Sequence, residues 1–435
     1  MRGTRWAIWA VVAAAAFLTG VGQFVFDAEA YWSASLALTH GDAPFPGYLD
    51  LRGVLSTVAY LPAAAVVRIA GETLAGPAVL AQNAVLIGWF AAYLLPALAR
   101  PWRQLGTRSR WIGAFLVWVV LHGFAPYPLM DIYAVIAVLT AIVLLQRKGP
   151  ISLVSAGLLL GYAANVRPAY LPVIALIAVV TVVARRWRSG WVLLGGMTAL
   201  LPQVIYGWVS RGVLSISPAA TEGLISLQSG YAAYTVRYDT APWDGGGAGQ
   251  FFCSPAMASH VSPLPTTTAE LAGAYLSNFS HALPFALEKV AASLHWPLSA
   301  PYLHPNPGVD ALFAVAVTAI AVVGCAALVC APILRRRTAS RDLWVAWGLV
   351  SSAVVATIAT LAGSATESRF AIPLVLLGVV GVTVVAEAGA ASVRANRRAF
   401  VAAGVVAVVV VGLGYAGLSH PAPRVMMTPE VCATT

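Results

Sequence analysis

Charge is what this chain has least of: only 10% of its 435 residues are Asp, Glu, Lys or Arg, while 60% are hydrophobic. An ordinary soluble domain is about 25% charged. With a mean hydropathy of +0.81, the chain carries too much apolar surface for a water-soluble globule, and that class is excluded. Cysteine is scarce as well. The four, at 253, 325, 330 and 432, form no C-x-x-C pair, so neither a zinc site nor a disulfide framework is expected; a Cys253 to Cys432 bridge is conceivable but not expected. Acid is scarcer than base, 16 residues against 26, giving a formal net charge of +10. In a soluble chain that surplus would point to nucleic acid. Here the arginines fall in short clusters between apolar runs, the pattern of cytoplasmic loops, so the basicity marks topology and no nucleic-acid partner is expected.

Long apolar runs are abundant instead. A spanning helix needs roughly 20 apolar residues. Eleven stretches qualify: 6–26, 77–99, 111–126, 129–146, 151–166, 169–184, 191–209, 309–333, 343–363, 370–388 and 399–418. The expected fold is all-α, a polytopic transmembrane bundle of about eleven spanning helices surrounded by membrane lipids. With Arg2 and Arg5 inside, the clusters at 100/103/108/110, 147/148, 185/186/188, 335/336/337/341 and 394/397/398 share one side, which gathers 18 of the 26 basic residues. Lys and Arg mark the cytoplasm, so the N-terminus is placed there, in the plasma membrane. Fourteen of the 16 acidic residues then lie at or beyond the outer face.

The apolar stretch 51–70 would reverse every later loop if it spanned, so it is laid on the outer surface as an interfacial or re-entrant helix flanked by Arg52, Arg68 and Glu72. Residues 1–420 are read as one transmembrane domain with two long outer segments, 27–76 and 210–308, and 421–435 as a short outer tail. Function is expected on the outside, where the long segments lie. The second segment contains the loop-forming run WDGGGAGQ at 243–250 and an amphipathic stretch at 267–296 with a break near Pro284.

The stretch FDAEAYW, Phe26 to Trp32, puts two carboxylates where the first apolar run stops. Arg2, Arg5, the apolar run and Ala28-Glu29-Ala30 imitate a signal peptide, but the run is longer than the usual 7 to 15 residues. Structurally, Asp27 suits the N-cap of a surface helix, Glu29 its first turn, and Tyr31 with Trp32 the interfacial aromatic belt. Chemically, a carboxylate beneath a re-entrant segment suits a general base that takes a proton from a hydroxyl. Asp27 and Glu29 stand about 200° apart on a helix, so only one of them serves unless Asp27 lies outside it.

Three further sites bear on this. Asp131 falls in the first turn of its helix, where an intramembrane carboxylate is costly and faces the bundle. Arg167, in NVRP, ends the next helix outward, and Glu367-Ser368-Arg369-Phe370 lies at the outer end of the ninth. Either arginine alone could snorkel to lipid headgroups. Two guanidiniums at one depth suit a phosphate, with Glu367 orienting Arg369. No histidine pair has metal-ligand spacing.

These residues, in this order, resemble the GT-C superfamily of membrane glycosyltransferases, which includes protein O-mannosyltransferases, aminoarabinose transferases, oligosaccharyltransferases and actinobacterial arabinosyl- and mannosyltransferases. The resemblance rests on a first helix that ends in an acidic motif with paired aromatics, then a surface helix. It also rests on Asp131, on NVRP with Arg167, on ESRFAIP with Arg369, and on the amphipathic YLSNFSHALPFALEKV. It departs from the family in splitting the acids with Ala28 and in showing no separate soluble domain after the last helix.

The resemblance implies transfer, with inversion, from a polyprenyl-phosphate-linked sugar to a glycan, lipid or protein acceptor on the outer face. Arg167 and Arg369 would hold the donor phosphate, Asp27 or Glu29 would act as base, and Asp131, Glu367 and Tyr31 would support them. A divalent cation, Mg or Mn, bridging Asp27 and phosphate is compatible with it. The main rival is a transporter or flippase of lipid-linked intermediates, which would place polar groups and broken helices at the bilayer midplane. A non-catalytic envelope scaffold would leave Asp27, Asp131 and Arg369 independent of one another.

Overall fold

The computed structural model describes residues 2–45, 47–240, 249–296, 301–302, 307–334, 340–365, 367–423 and 428–434. Most of the 243–250 run, His304 and Arg335 to Arg337 lie outside the described residues. The chain is 79% helical. The first helices are α1 (Arg2–Phe17), α2 (Asp27–His40), α3 (Tyr48–Leu51), α4 (Leu61–Ala70), α5 (Ala75–Trp89), α6 (Leu95–Ala99) and α7 (Thr107–Leu121). There follow α8 (Met130–Leu145), α9 (Pro150–Val166), α10 (Leu171–Arg185), α11 (Ser189–Arg211) and α12 (Thr221–Ala232). Strands β1 (Thr235–Thr240) and β2 (Gly249–Cys253) precede α13 (Pro255–Ala258), α14 (Thr268–Ser277) and α15 (Phe279–Leu294). Four long helices, α16 (Pro307–Leu334), α17 (Arg341–Gly363), α18 (Ile372–Ala395) and α19 (Arg397–Gly417), lead to β3 (Pro421–Pro423) and α20 (Pro429–Thr434).

Each of the eleven apolar stretches contains helix, the first only as far as Phe17. Among the described residues, six segments are long and apolar enough to cross a membrane: Glu72–Ala99, Pro168–Arg211, Gly308–Cys330, Arg341–Gly363, Ser368–Ala390 and Arg397–Gly417. The chain is thus a membrane protein built of helices. Glu72–Ala99 passes through a π-helical turn, Phe90–Leu94, just before Pro96, whose missing N–H would otherwise leave a carbonyl of the preceding turn unpaired. In Pro168–Arg211 the backbone turns at Arg186, with φ 50° and ψ −128°, which divides the segment into α10 and α11.

Three local expectations are corrected. The first helix stops at Phe17 rather than 26; a non-helical stretch containing Gly20, at φ +92°, separates it from Asp27, because glycine readily takes a backbone conformation that leaves the helix. The 51–70 stretch is not one helix. It is the end of α3, a 3-10 turn at Val54–Thr57 and the ten residues of α4, about 15 Å of rise against a hydrocarbon core of about 30 Å. The 267–296 stretch breaks at Asn278, not Pro284, which lies inside α15. Thr267 caps α14 by accepting from the Glu270 amide at 3.1 Å, and Glu270 accepts from the Thr266 amide at 2.7 Å.

The chain divides into two compact units. The first comprises Met1–Ala219, Ala326–Val354 and Val379–Arg394. Its closest helix contact is α9 on α11, through glycines: a Cβ on Gly157 would lie 2.0 Å from the Val192 carbonyl, and one on Gly195 2.1 Å from that of Val154. Small residues let two apolar helices approach backbone to backbone without a polar driving force. α8 is apolar all round and buried along most of its length, as such a helix must be inside a bundle.

The second unit comprises Ala220–Cys325, Val355–Gly378 and Ala395–Thr435. An otherwise helical chain here forms a three-stranded antiparallel sheet in the order β1-β2-β3, with Phe251 opposite Ala422. Its core gathers Tyr234, Val236, Phe251, Met257, Leu271 and Phe285. Cys253, ending β2, and Cys432, in α20, form a disulfide across 179 residues. The expectation of no disulfide is corrected. The reason it was not foreseen is physical: only the β2–β3 pairing brings the tail to Cys253, and no local spacing encodes it.

Candidate functional site

The N-terminus of α2 sets the site in the first unit. Phe26, at φ 51°, occupies the cap position, so Asp27 is the first helical residue rather than the N-cap. Both carboxylates are therefore helical and diverge, since two residues turn about 200°. Asp27 is partly buried and Glu29 is exposed. An Asp27 Oδ1 contact with Arg52 closes a salt bridge in which the two side chains stay 20% and 26% exposed. Tyr31, one turn on and on the same face, lies beneath the Arg52 guanidinium at 5.5 Å from its ring centre.

Tyr31 and Trp32 are not the aromatic belt expected of them. Tyr31 is 0% and Trp32 8% exposed, packed edge-on to Tyr48 and tilted on Phe24 respectively. The Tyr31 hydroxyl has no hydrogen-bond partner among the described residues. Burial pushes its pKa up, and four charges act on it besides: Arg52 and Arg167 lower it while Asp27 and Asp131 raise it. The Arg52–Asp27 pair lies against this ring, and the charges of the Asp131–Arg167 pair reach it too.

Asp131 and Arg167 form the second pair. Arg167 Nε lies 3.0 Å from Asp131 Oδ1, and both residues are buried, at 7% and 1% exposure. Asp131 sits in the first turn of α8. Arg167 leaves α9 at φ −147° and ψ 86° because Pro168 follows it and bars the helical conformation at the preceding residue. The spacing of NVRP therefore aims the side chain back at the bundle.

A polar clamp fixes the loop that carries Arg52. The Leu55 amide donates to Asn165 Oδ1 at 2.8 Å, and the Val54 amide to Gln203 Oε1 at 3.0 Å. Asn165 Nδ2 in turn donates to Gln203 at 3.2 Å. Gly53 lies so close that a Cβ there would meet the Asn165 carbonyl at 2.1 Å. The Ser56 hydroxyl donates to the Gly53 carbonyl at 2.6 Å and so accepts from the Tyr48 hydroxyl at 2.7 Å. The sequence alone does not single out Asn165 or Gln203 for this arrangement, and it marks Arg52 only as a flank of the interfacial stretch. Its partner lies 25 residues away, and no motif announces it.

In the second unit, Glu367 and Arg369 do pair as expected. Arg369 Nη2 donates to Glu367 Oε1 at 2.7 Å and Nε lies 2.7 Å from Oε2, with both residues 3–4% exposed. The Trp296 indole donates to the Ser368 carbonyl at 2.9 Å, which ties this turn to the end of α15. Three more buried ionisable groups were not foreseen. Arg237, on β1, makes a two-pronged contact with Asp239 at 2.6 and 2.8 Å and donates to the Ala292 and His295 carbonyls at 2.6 Å. It thereby satisfies the carbonyl end of α15. Lys289 is fully buried and donates to the Ala232 carbonyl at 2.8 Å; burial holds its pKa well below the usual value.

For the divalent cation that the resemblance leaves open, the protein residues supply few ligands. The oxygen of Asp27 faces a guanidinium instead of a second carboxylate, and among the described residues no three His, Cys, Asp or Glu side chains converge. Hard divalent cations need several oxygen ligands. His260 and His281 stack at 4.2 Å with no third ligand type beside them among the described residues. Compared with family models, curated proteins and solved structures, the chain matches none.

Proposed function

We propose that this chain is an integral membrane glycosyltransferase that moves a sugar from a polyprenyl-phosphate donor to a hydroxyl of an envelope glycan, lipid or protein. The observation that carries the reading is the pair of ion pairs, Asp27 with Arg52 over the Tyr31 ring and Asp131 with Arg167, in the same unit, whose charges all act on Tyr31. It joins a partly exposed carboxylate to guanidiniums in one place, which an independent scatter of structural charges would not require. Asp27 is the general base, because it is the carboxylate paired with Arg52, whereas Glu29 is exposed and stands about 200° round the helix from it. The acceptor oxygen attacks the anomeric carbon and its proton passes to the Asp27 carboxylate. The bond from that carbon to the donor phosphate breaks, its electron pair leaves on polyprenyl phosphate, and attack from the opposite face inverts the centre. Arg167, oriented by Asp131, serves the phosphate side, where a preorganised cation stabilises the developing charge.

The outer face of the plasma membrane is the side proposed for this chemistry. The arginine clusters support a cytoplasmic N-terminus, and the Cys253–Cys432 bridge supports an oxidising outer compartment for both ends it joins. The four helices α16 to α19 lie between those cysteines, an even number, as a bridge on one side of a membrane requires. The test is to delete the gene, profile envelope glycans and glycolipids, and compare rescue by wild type, Asp27→Asn and Glu29→Gln at equal membrane abundance. A sugar that returns with wild type and Glu29→Gln but not with Asp27→Asn supports the reading. Full rescue by Asp27→Asn removes it.

A further inference from the structure

The two cationic groups of the first unit's cluster differ in a way the glycosyl-transfer reading does not use. Arg167 is deeply buried and already neutralised by an equally buried carboxylate. Arg52 is the more exposed of the two, at 26% for its side chain, and its present partner is the carboxylate assigned as base. A carboxylate whose charge is shared with a guanidinium takes up a hydroxyl proton less readily. Arg52 and the acceptor therefore compete for Asp27.

We propose that Arg52 is the ligand of the donor phosphate, parked on Asp27 until the donor arrives, so that donor binding itself releases Asp27 for the acceptor hydroxyl. This rests on the glycosyl-transfer reading and adds to it an order: donor first, acceptor second. Three features of the structure support the exchange. The backbone just after Arg52 is clamped by Asn165 and Gln203, so only the side chain has to swing. The guanidinium rests on the face of Tyr31, a surface along which a planar cation slides without losing its cation–π attraction. A phosphate offers several anionic oxygens in the geometry that the guanidinium fork pairs with two at a time.

The charges also account for a return stroke. The donor is a phosphodiester with one negative charge, and transfer leaves a phosphomonoester while the acceptor's proton neutralises Asp27. Nothing then draws Arg52 back, and it holds the product. Loss of that proton to solvent restores the Asp27 charge, which recaptures Arg52 and loosens the polyprenyl phosphate.

The test uses the full chain in lipid nanodiscs and undecaprenyl phosphate as probe, with undecaprenol and inorganic phosphate as controls, read by ligand-dependent thermal shift and native mass spectrometry. Wild type is expected to bind undecaprenyl phosphate in preference to undecaprenol. Asp27→Asn frees Arg52 and should tighten that binding about fivefold, the worth of a partly exposed ion pair of roughly 1 kcal/mol. Arg52→Gln should weaken it tenfold or more, and Arg52→Lys should restore part of the loss. Unchanged or weaker binding by Asp27→Asn, or wild-type binding by Arg52→Gln, overturns the exchange while leaving the donor class intact. Should Arg52→Gln fail to fold, the Asp27→Asn result alone decides. If inorganic phosphate binds as tightly as the lipid and shows the same two effects, the exchange stands and the lipid donor falls. If wild type binds neither phosphate, both fall.

Discussion

The Asp131–Arg167 pair gives the sharpest test of how the cluster is held. Both partners are almost completely buried, at 1% and 7% exposure, so neither charge is solvated without the other. Removing one partner of such a pair costs about 3–5 kcal/mol, whereas replacing both with apolar residues of similar volume is close to neutral. At roughly 2 °C per kcal/mol for a unit of this size, Arg167→Met should lower the Tm by about 6–10 °C and Asp131→Leu by a similar amount. The Asp131→Leu/Arg167→Met double variant should return to within about 3 °C of wild type. The assay is thermal unfolding of the purified chain in nanodiscs, followed by tryptophan fluorescence, with all four members of the cycle measured side by side. A double variant as unstable as the two single losses added together would refute the argument, since independent sites add and coupled ones do not. In the gene-deletion strain the double variant should accumulate yet fail to restore the missing sugar, which separates the pair's service to folding from its service to phosphate.

Gly53→Ala should break the clamp on the Arg52 loop, because its Cβ would meet the Asn165 backbone carbonyl at 2.1 Å; a loss of about 1–3 kcal/mol is expected, and a Tm equal to wild type would count against the clamp. Burial, with Arg237 beside it, pushes the His295 imidazole down from 6.5 to about 4. A base with a depressed folded pKa contributes stability that is complete above pH 6.5 and is lost as pH falls toward 4, because the unfolded chain takes the proton first. His295→Gln should therefore remove about 2 kcal/mol of that acid loss, less than the roughly 3 the shift alone implies since the ring is partly solvated; parallel denaturation curves for the two proteins from pH 6.5 to 4 would refute it. Reduction, or Cys253→Ser, should cost about 2–4 kcal/mol, and peptide mapping without reductant should recover Cys253 joined to Cys432; a peptide joined to Cys325 or Cys330 instead would refute the pairing.

How much was legible follows from how far each interaction reaches along the chain. Apolar length is a local property, so each of the eleven runs contains helix, with six segments among the described residues long and apolar enough to cross a membrane, and the divergence of Asp27 from Glu29 follows from 100° per residue. The bounds of α1 and α15 moved because Gly20 and Asn278, rather than the ends of the apolar pattern, set the backbone there. Glu367 with Arg369 was legible at a separation of two residues. Asp131 and Arg167 were each singled out, but as a carboxylate at a helix start and a phosphate cation, not as partners.

By itself the sequence determined that this is a helical membrane protein, which runs form its helices, and which few ionisable residues are costly enough to matter. Only the tertiary structure decided which of them meet. Arg52 on Asp27, the Asn165–Gln203 clamp, Arg237 at the end of α15 and Cys253 with Cys432 join residues 25 to 179 positions apart. In a chain this poor in charge, every buried charge must find a partner or pay for its desolvation. Which partner it finds is set by helix packing, through contacts such as Gly157 against Val192, and no pattern along the sequence carries that information.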